Sequence, residues 1–518
     1  MAGAPFAQLT PLLSETGSRS GNQRQKREAQ NISRRGGMAR PAHGDGASRS
    51  ARPRSAELLL LLIALGGFVL GLSMAGLQID GRLPDDLPLF AGTFTGCALA
   101  LHFALRFLAP AADPVVMPVA VALNGVGLTV IWGLHRVQDT GSAEPEKQLV
   151  WTAAGMALCS AVLIAVRQPR RLQRYPYLMA TAGLTLLLLP MLPVIGIEVF
   201  GARRWVGIGR FTVQPSEFAK ILLIIFLAGY LGTKRDVLSL AARQLRIGPV
   251  KVFSQPRMRD LGPITAGWGI AILLLVGTRD LGTSLLLFSV FLAILYTATR
   301  RKSWVAIGLV MFTAGAWVAW AAFWHVRQRV TIWLHAFDPE VYREENGGSY
   351  QLVQGLFALA DGGLSGTGFG TGRSALIFAS DSDLILISIG EKFGLTGLVA
   401  VLLLLLLLAE RGFRIALDSR DVFVKLMATG FAFLFAYQVF VVLGGVTRII
   451  PLTGMTTPFL AAGGSSLISS WIMVGLWLRM SNDTRRPDRA RQPAEDATQV
   501  IRRDDSNVTP SSRATAQG

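Results

Sequence analysis

Residues 201–220 read GARRWVGIGRFTVQPSEFAK and run directly into ILLIIFLAGYL at residues 221–231. Proline suits the first position of a helix, so Pro215 opens a helix that carries Glu217 and Lys220 into an apolar span. Ionisable groups are costly inside a span and mark a pathway, a buried pair or a reaction site. The i, i+3 spacing sets Glu217 and Lys220 on one helix face, where they can pair. A buried ion pair that only locks helices together explains the same two residues, and on the pair alone the two readings balance.

The rest of the chain extends the apolar pattern. Of 518 residues, 51% are hydrophobic and the mean hydropathy is +0.43, with runs near span length recurring throughout, so the fold class is an all-α polytopic membrane protein. Polar breaks divide it into about twelve transmembrane helices, starting near residues 56, 88, 114, 148, 175, 215, 262, 281, 303, 384, 423 and 464. Residues 1–55 are rich in Arg, Gly, Ser and Ala and lack the apolar core of a signal peptide. They read as a disordered basic cytoplasmic tail, residues 482–518 as a second one, and residues 56–481 as the multi-span domain. Cys97 and Cys159 both sit in apolar segments, which argues against a disulfide framework or a thiolate metal site.

The net charge of +18 is distributed as a topology signal rather than as a nucleic-acid-binding face. Lys and Arg collect in every second connection: Arg167, Arg170, Arg171 and Arg174 after the fourth span, Arg300, Arg301 and Lys302 after the eighth, Arg411, Arg414 and Arg420 after the tenth. By the positive-inside rule both termini are cytoplasmic, and the long connection at residues 325–382, just before the tenth span, is extracellular. Its glycine cluster, Gly362 to Gly372, permits tight turns or close approach to a ligand but has no Gly-Lys-Ser/Thr ending of a phosphate loop.

Four further features carry chemistry. Asp383 stands where the long connection meets the apolar LILISI, as a general base at the aqueous boundary or as an ordinary helix N-cap. Asp280, in GTRDLGTS, faces the same pair of readings. Glu391 lies inside the tenth span beside Lys392 and calls for a polar surrounding. Residues 444–470, GGVTRIIPLTGMTTPFLAAGGSSLISS, are too rich in Gly, Thr and Ser to face lipid as a plain helix, so they line a wet cavity, pack inside protein or form a simple outer loop. Together Asp383, Asp280, Glu217, Lys220, Arg203, Arg204 and Arg448 place carboxylates and cations at one membrane face. That mixture suits an anionic, membrane-tethered substrate, with cations holding a diphosphate leaving group while a carboxylate deprotonates an attacking hydroxyl.

The strings GARRWVGIGRFTVQPSEFAK, RDLGTSLLL, SYQLVQGLFALADGGLSGTGFGTG followed by SDLILISIGEKFGLTG, and GGVTRIIPLTGMTTPFLAAGGSS occur in that order and resemble the SEDS family, which includes RodA, FtsW and SpoVE. The resemblance covers roughly residues 200–480; the earlier layout, with two spans beyond the usual ten and NGVGLTVIWGLHRV at residues 124–137, is similar to RodA-type proteins of high-GC Gram-positive bacteria. It implies a peptidoglycan glycosyltransferase that polymerises lipid II at the outer face of the cytoplasmic membrane, in elongation or in division, beside a class B penicillin-binding protein. It further implies that Asp383 deprotonates the acceptor sugar hydroxyl, that Glu217 and Lys220 are the family's intramembrane acid–base pair, and that Asp280, Arg203, Arg204 and Trp205 fall on its remaining motifs. A divalent cation, Mg or Mn, is expected from the family without a ligand set.

The chain departs from the family at Lys392, where a second glutamate is usual, at IFAS of residues 377–380, which lacks a proline, and at Ala461 and Ala462, which replace Ser-Tyr. Lys392 in place of an acid changes the local charge by about two units, with an expected effect on the position of the substrate or on the working pKa of Asp383, as in a divergent paralogue. A lipid-linked precursor flippase and a noncatalytic scaffold for the penicillin-binding protein are the alternatives; the first predicts inverted repeats, the second an Asp383→Ala variant that still functions.

Overall fold

The computed structural model describes residues 54–485 apart from 139–141, 194, 200–201, 210, 241–242, 248–249, 256–268, 271, 274–275, 278 and 345–347. The expected tails fall almost wholly outside the described residues, as does most of the span near residue 262. Helices follow at α1 Ser55–Asp80, α2 Leu87–Leu108, α3 Val116–Gln138, α4 Glu144–Ala165 and α5 Pro176–Leu188. After a small sheet come α6 Pro215–Leu240, α7 Leu281–Thr299, α8 Lys302–Ala322, α9 Trp324–Leu334, α10 Pro339–Tyr342 and α11 Tyr350–Asp361. The bundle closes with α12 Ile385–Asp418, α13 Val422–Val446 and α14 Gly464–Arg485.

Nine of these described helices are long and apolar enough to cross a membrane: α1 to α4, α6 to α8, α12 and α13. The apolar stretch Pro176–Met191 is shorter, and α14 spans 22 residues but carries many serines and Arg479 on its length. α3 is the central helix, its spanning window 89% buried against 28% in α1 and α2 and 6% in α8. It packs against α1, α4 and α12, and at Gly127 it lies so close to the backbone of Leu460 that a Cβ would come within 2.5 Å of the carbonyl oxygen. α6, α7 and α13 form a second group of neighbours, and α14 lies along α4.

The helical expectation holds with one addition. Residues 196–213 form an antiparallel sheet in the order β1 Gly196–Val199, β2 Ala202–Ile208, β3 Phe211–Val213, immediately before α6, and Arg243–Ile247 pairs with Val250–Gln255 as β4 and β5. β2 is bulged at Arg204: Trp205 stands opposite Ile197 and Arg203 opposite Glu198, which leaves Arg204 between them as the extra residue, the kind of irregularity that re-aims a side chain. The long connection before α12 contains helices of its own, α9, α10 and α11, and a short turn of helix at Ser374–Leu376.

α12 is broken at Gly394, whose φ of 70° and ψ of −175° no helix contains. The glycine loop docks on this break: Thr367 N donates to Glu391 O at 2.9 Å, Gly368 N to Lys392 O at 3.1 Å, and Leu395 N to Gly363 O at 2.9 Å. Backbone groups released by the break are thereby satisfied inside protein, the condition for irregular backbone at membrane depth. Only glycine fits on either side, since a Cβ on Gly394 would meet Gly366 N at 2.4 Å and one on Gly366 would meet Lys392 O at 2.3 Å.

Residues 447–463 run without helix between α13 and α14, as their composition suggests. Gln148 of α4 binds them at both ends of its amide, Nε2 donating to Ala461 O at 3.2 Å and Oε1 accepting from Gly463 N at 3.3 Å. Ala462 N donates to Asp381 O at 2.8 Å, which fastens this segment to the turn before α12.

Candidate active site

Asp383, Arg204 and Arg329 converge on Gly454. A Cβ at that position would lie 3.4 Å from Asp383 Oδ2, 3.8 Å from Arg204 Nη1 and 3.9 Å from Arg329 Nη2, so the three charged ends surround one point. Each arrives from a different element: Asp383 from the turn before α12, Arg204 from β2, Arg329 from α9. The arginines are aimed by main-chain acceptors, Arg204 Nη2 donating to Arg279 O at 2.9 Å and Arg329 Nη1 to Leu452 O at 2.6 Å.

Asp383 does not cap α12. The N-cap position is Leu384, with no side-chain cap bond, which leaves the carboxylate directed at the arginines. Burial pushes its pKa above the ordinary carboxylate value; Arg204 and Arg329 oppose the rise, while Asp381 and Asp280 add to it. Arg329 is drawn below its usual range by burial and by Arg204, and His325 below its own by burial and by Arg279, Arg329 and Arg204. Two guanidinium groups held this close repel one another, and an anion between them relieves the repulsion.

Asp280 caps α7, Oδ1 accepting from Thr283 N at 3.2 Å. Its other oxygen, Oδ2, is buried with no hydrogen-bond partner among the described residues, a costly arrangement that a ligand would offset. Both sequence readings of this residue thus apply, one to each oxygen.

Glu217 and Lys220 pair at 2.7 Å near the start of α6. Ser469 Oγ donates to Glu217 Oε2 at 2.9 Å, Lys220 Nζ donates to Gln438 Oε1 at 3.2 Å, and Gln438 Nε2 donates to Thr456 O at 2.8 Å. The pair therefore ties α6, α13 and α14 to the irregular segment two residues beyond Gly454, a supporting position.

The other candidates lie apart from the arginine–aspartate cluster. Arg203 is exposed and pairs with Glu198 at 2.9 Å, and Trp205 stands opposite Ile197 on the other side of the bulge. Arg448 holds α9 in place, Nε donating to Trp333 O at 2.7 Å and Nη2 to Leu334 O at 2.9 Å, with its guanidinium 5.2 Å from the Phe337 ring. Glu391 is fully buried and organises the glycine loop: Oε1 accepts from Arg373 N at 2.5 Å, Oε2 from Ser374 N at 3.0 Å and from the Ser374 hydroxyl. Lys392 Nζ closes on Glu391 at 3.1 Å and on Thr371 O at 2.5 Å. Its charge is spent locally, and the charges acting on Asp383 are Arg204, Arg329, Asp381 and Asp280, so the expected influence of Lys392 on Asp383 is not what the structure holds.

Arg329 was not singled out by the sequence. Arg327 and Arg329 both belong to a connection with mixed charge, and only the packing of α9 against residues 449–454 distinguishes them.

The profile of the FtsW/RodA/SpoVE family, described as cell cycle proteins, matches residues 115–486. The chain belongs to that family. The peptidoglycan glycosyltransferase RodA of Mycobacterium tuberculosis is 41% identical over 444 residues, 85% of this chain and 92% of that protein. A probable peptidoglycan glycosyltransferase FtsW of Geobacter metallireducens is 30% identical over 378 residues, 71% of this chain and 94% of that one. A solved chain from a peptidoglycan synthase complex superposes with a TM-score of 0.54 at 22% identity, covering 73% of this chain and 99% of that chain, which is a likeness of fold. As a member of this family with nine apolar spanning helices among its described residues, the chain is a multi-pass membrane protein. α1 and α2 precede the matched residues.

Proposed function

We propose that this protein is a peptidoglycan glycosyltransferase that polymerises lipid II into glycan strands at the outer face of the cytoplasmic membrane. The observation that carries the reading is the convergence of Asp383, Arg204 and Arg329 on one point where the helices end. The names of its relatives supply the reaction class, and the 41% identity to a mycobacterial RodA favours a role in elongation over division.

Asp383 then acts as general base. Its carboxylate takes the proton of the acceptor sugar hydroxyl as the new C–O bond forms, and the bond from the donor sugar to its lipid diphosphate breaks. Arg204 and Arg329 receive the charge that builds on the departing diphosphate, and burial strengthens that interaction. A base whose pKa is raised by burial sits closer to the pH at which it works than a solvated aspartate does.

A divalent cation fits this site in one respect. Among the described residues no group of three or more His, Cys, Asp or Glu side chains could hold one, yet Mg is commonly held by one or two carboxylates together with substrate phosphates. Asp280, with its unpartnered buried oxygen, would hold it; when bound, the ion would neutralise diphosphate charge.

The topology proposed with this function has both termini cytoplasmic. Arg411 and Arg414 lie near the far end of α12 from Asp383, and Arg300 at the far end of α7 from Asp280, which supports it. A class B penicillin-binding protein is the proposed partner, in keeping with the synthase complex that yielded the similar fold. Purified protein, reconstituted with lipid II, that partner and Mg, should make polymer that disappears on chelation and in Asp383→Ala.

A further inference from the structure

We infer that His135 and Asp381 form a positioning pair that sets how readily Asp383 gives up and takes a proton. The inference deepens the reading of Asp383 as the base and rests on it.

His135 lies in the last turn of α3, its Nε2 3.6 Å from Asp381 Oδ2, an ion-pair separation. Its other ring nitrogen, Nδ1, is 3.1 Å from the Ile131 carbonyl oxygen. A carbonyl only accepts, so Nδ1 carries a hydrogen and donates it. Nε2 is then left facing a carboxylate oxygen, and the contact is attractive only when one proton lies on the pair, as imidazolium beside carboxylate or as imidazole beside carboxylic acid. With that proton the pair is neutral; without it Asp381 presents a full negative charge in the turn that holds Asp383 two residues on.

The backbone around the pair is fixed at three places. Asp381 O accepts from Ala462 N at 2.8 Å, Gln138 Nε2 of α3 donates to Ala375 O at 2.6 Å, and Ser388 Oγ donates to Ser380 O at 2.7 Å. The turn from Ser380 to Asp383 is therefore held against the irregular segment and α12, the residues leading into it are held against α3 through Ala375, and His135 of α3 meets the Asp381 carboxylate.

Other charges act on these two carboxylates. Asp381 faces His135 from α3 and Glu144 from the start of α4, the first stabilising its charge and the second opposing it, with burial adding to the opposition. Asp383 faces Arg204 from β2, Arg329 from α9, Asp280 from the cap of α7, and Asp381 itself. Among these Asp381 is the one whose charge is adjustable through a histidine. Its negative charge opposes ionisation of Asp383, so the proton on the pair lowers the pH at which Asp383 becomes a competent base.

The test is the pH dependence of glycan polymerisation from lipid II by the full-length protein with its partner, for wild type, Asp381→Asn, His135→Gln and Asp383→Ala. Asp381→Asn removes the neighbouring charge and should move the acidic limb down by about half a pH unit or more; His135→Gln keeps a side chain of similar reach without the charge and should move it up by a similar amount. Limbs that stay at the wild-type position while rates fall, or that move in the same direction, would overturn the inference and assign the pair a structural role only. Should His135→Gln fail to fold, Asp381→Asn, which exchanges one oxygen for an amide nitrogen, decides the matter by its own limb. Polymer made by Asp383→Ala would instead sink the base assignment, an outcome distinct from an unmoved limb in a system where Asp383→Ala is inactive.

Discussion

Replacing Lys220 with methionine is expected to destabilise the protein strongly, and replacing Glu217 as well is expected to recover most of the loss. Glu217 Oε2 and Lys220 Nζ lie 2.7 Å apart, with side chains only 9% and 5% exposed. Removing one partner of such a pair strands the other charge, at a cost of about 3–5 kcal/mol. Ser469 Oγ, 2.9 Å from Glu217 Oε2, remains and offsets about 1 kcal/mol of that. Gln438 Oε1 loses its Lys220 donor at 3.2 Å and adds a penalty of about the same size, so the sum stays near about 3–5 kcal/mol. In Glu217→Leu/Lys220→Met no charge is stranded, and apolar side chains of similar volume should bring stability to within about 1–2 kcal/mol of wild type. Thermal unfolding in a single detergent, read for the wild type, the single variant and the double variant, measures both differences as ordered midpoints. A double variant as unstable as Lys220→Met would refute the reasoning, because the loss would then come from something other than an uncompensated buried carboxylate.

Two further outcomes follow from the same geometry. In Arg204→Gln the positive charge that holds the Asp383 pKa down is removed while burial still pushes it up, so the acidic limb of the polymerisation pH profile should move to higher pH; a limb that stays or moves down contradicts the placement of Arg204 beside Asp383. Gly394→Ala forces a side chain into positive φ with its Cβ 2.4 Å from Gly366 N, a cost of about 3 kcal/mol or more that should appear as a lower unfolding midpoint and lost activity; an alanine variant that melts with wild type shows that the glycine loop does not dock there.

The helices were legible because membrane spans announce themselves by length and apolarity, and nine of the expected spans are helices of that kind among the described residues. The irregular stretch before α14 was legible for the converse reason, since its Gly, Thr and Ser content fits no lipid-facing helix. The sheet at residues 196–213 was not, because Arg-Arg-Trp-Val-Gly-Ile lacks the polar–apolar alternation of a half-buried strand, and beside so many apolar runs a short strand reads as a connection. Side-chain direction decided the rest. Neighbouring Arg203 and Arg204 are equivalent in sequence, yet the bulge in β2 sets them apart: Arg203 stands opposite Glu198 and pairs with it, while Arg204 is the extra residue and its guanidinium shares the point at Gly454 with Asp383. Asp280 and Asp383 each had an N-cap reading, and only the observed caps separate them: Asp280 bonds Thr283 N, whereas Leu384 takes the cap position that Asp383 would need. Arg448, Glu391 and Lys392 carry charges that sequence assigns to the site and that the fold uses to hold α9 and the glycine loop in place.

The most direct test of the central claim is glycan synthesis from purified lipid II by the full-length protein with its class B penicillin-binding protein, comparing wild type with Asp383→Ala at matched folding. The account predicts polymer from the wild type and none from the variant. Equal polymer from both would contradict Asp383 as the base, and none from either, beside a demonstrably active partner, would contradict the glycosyltransferase reading itself.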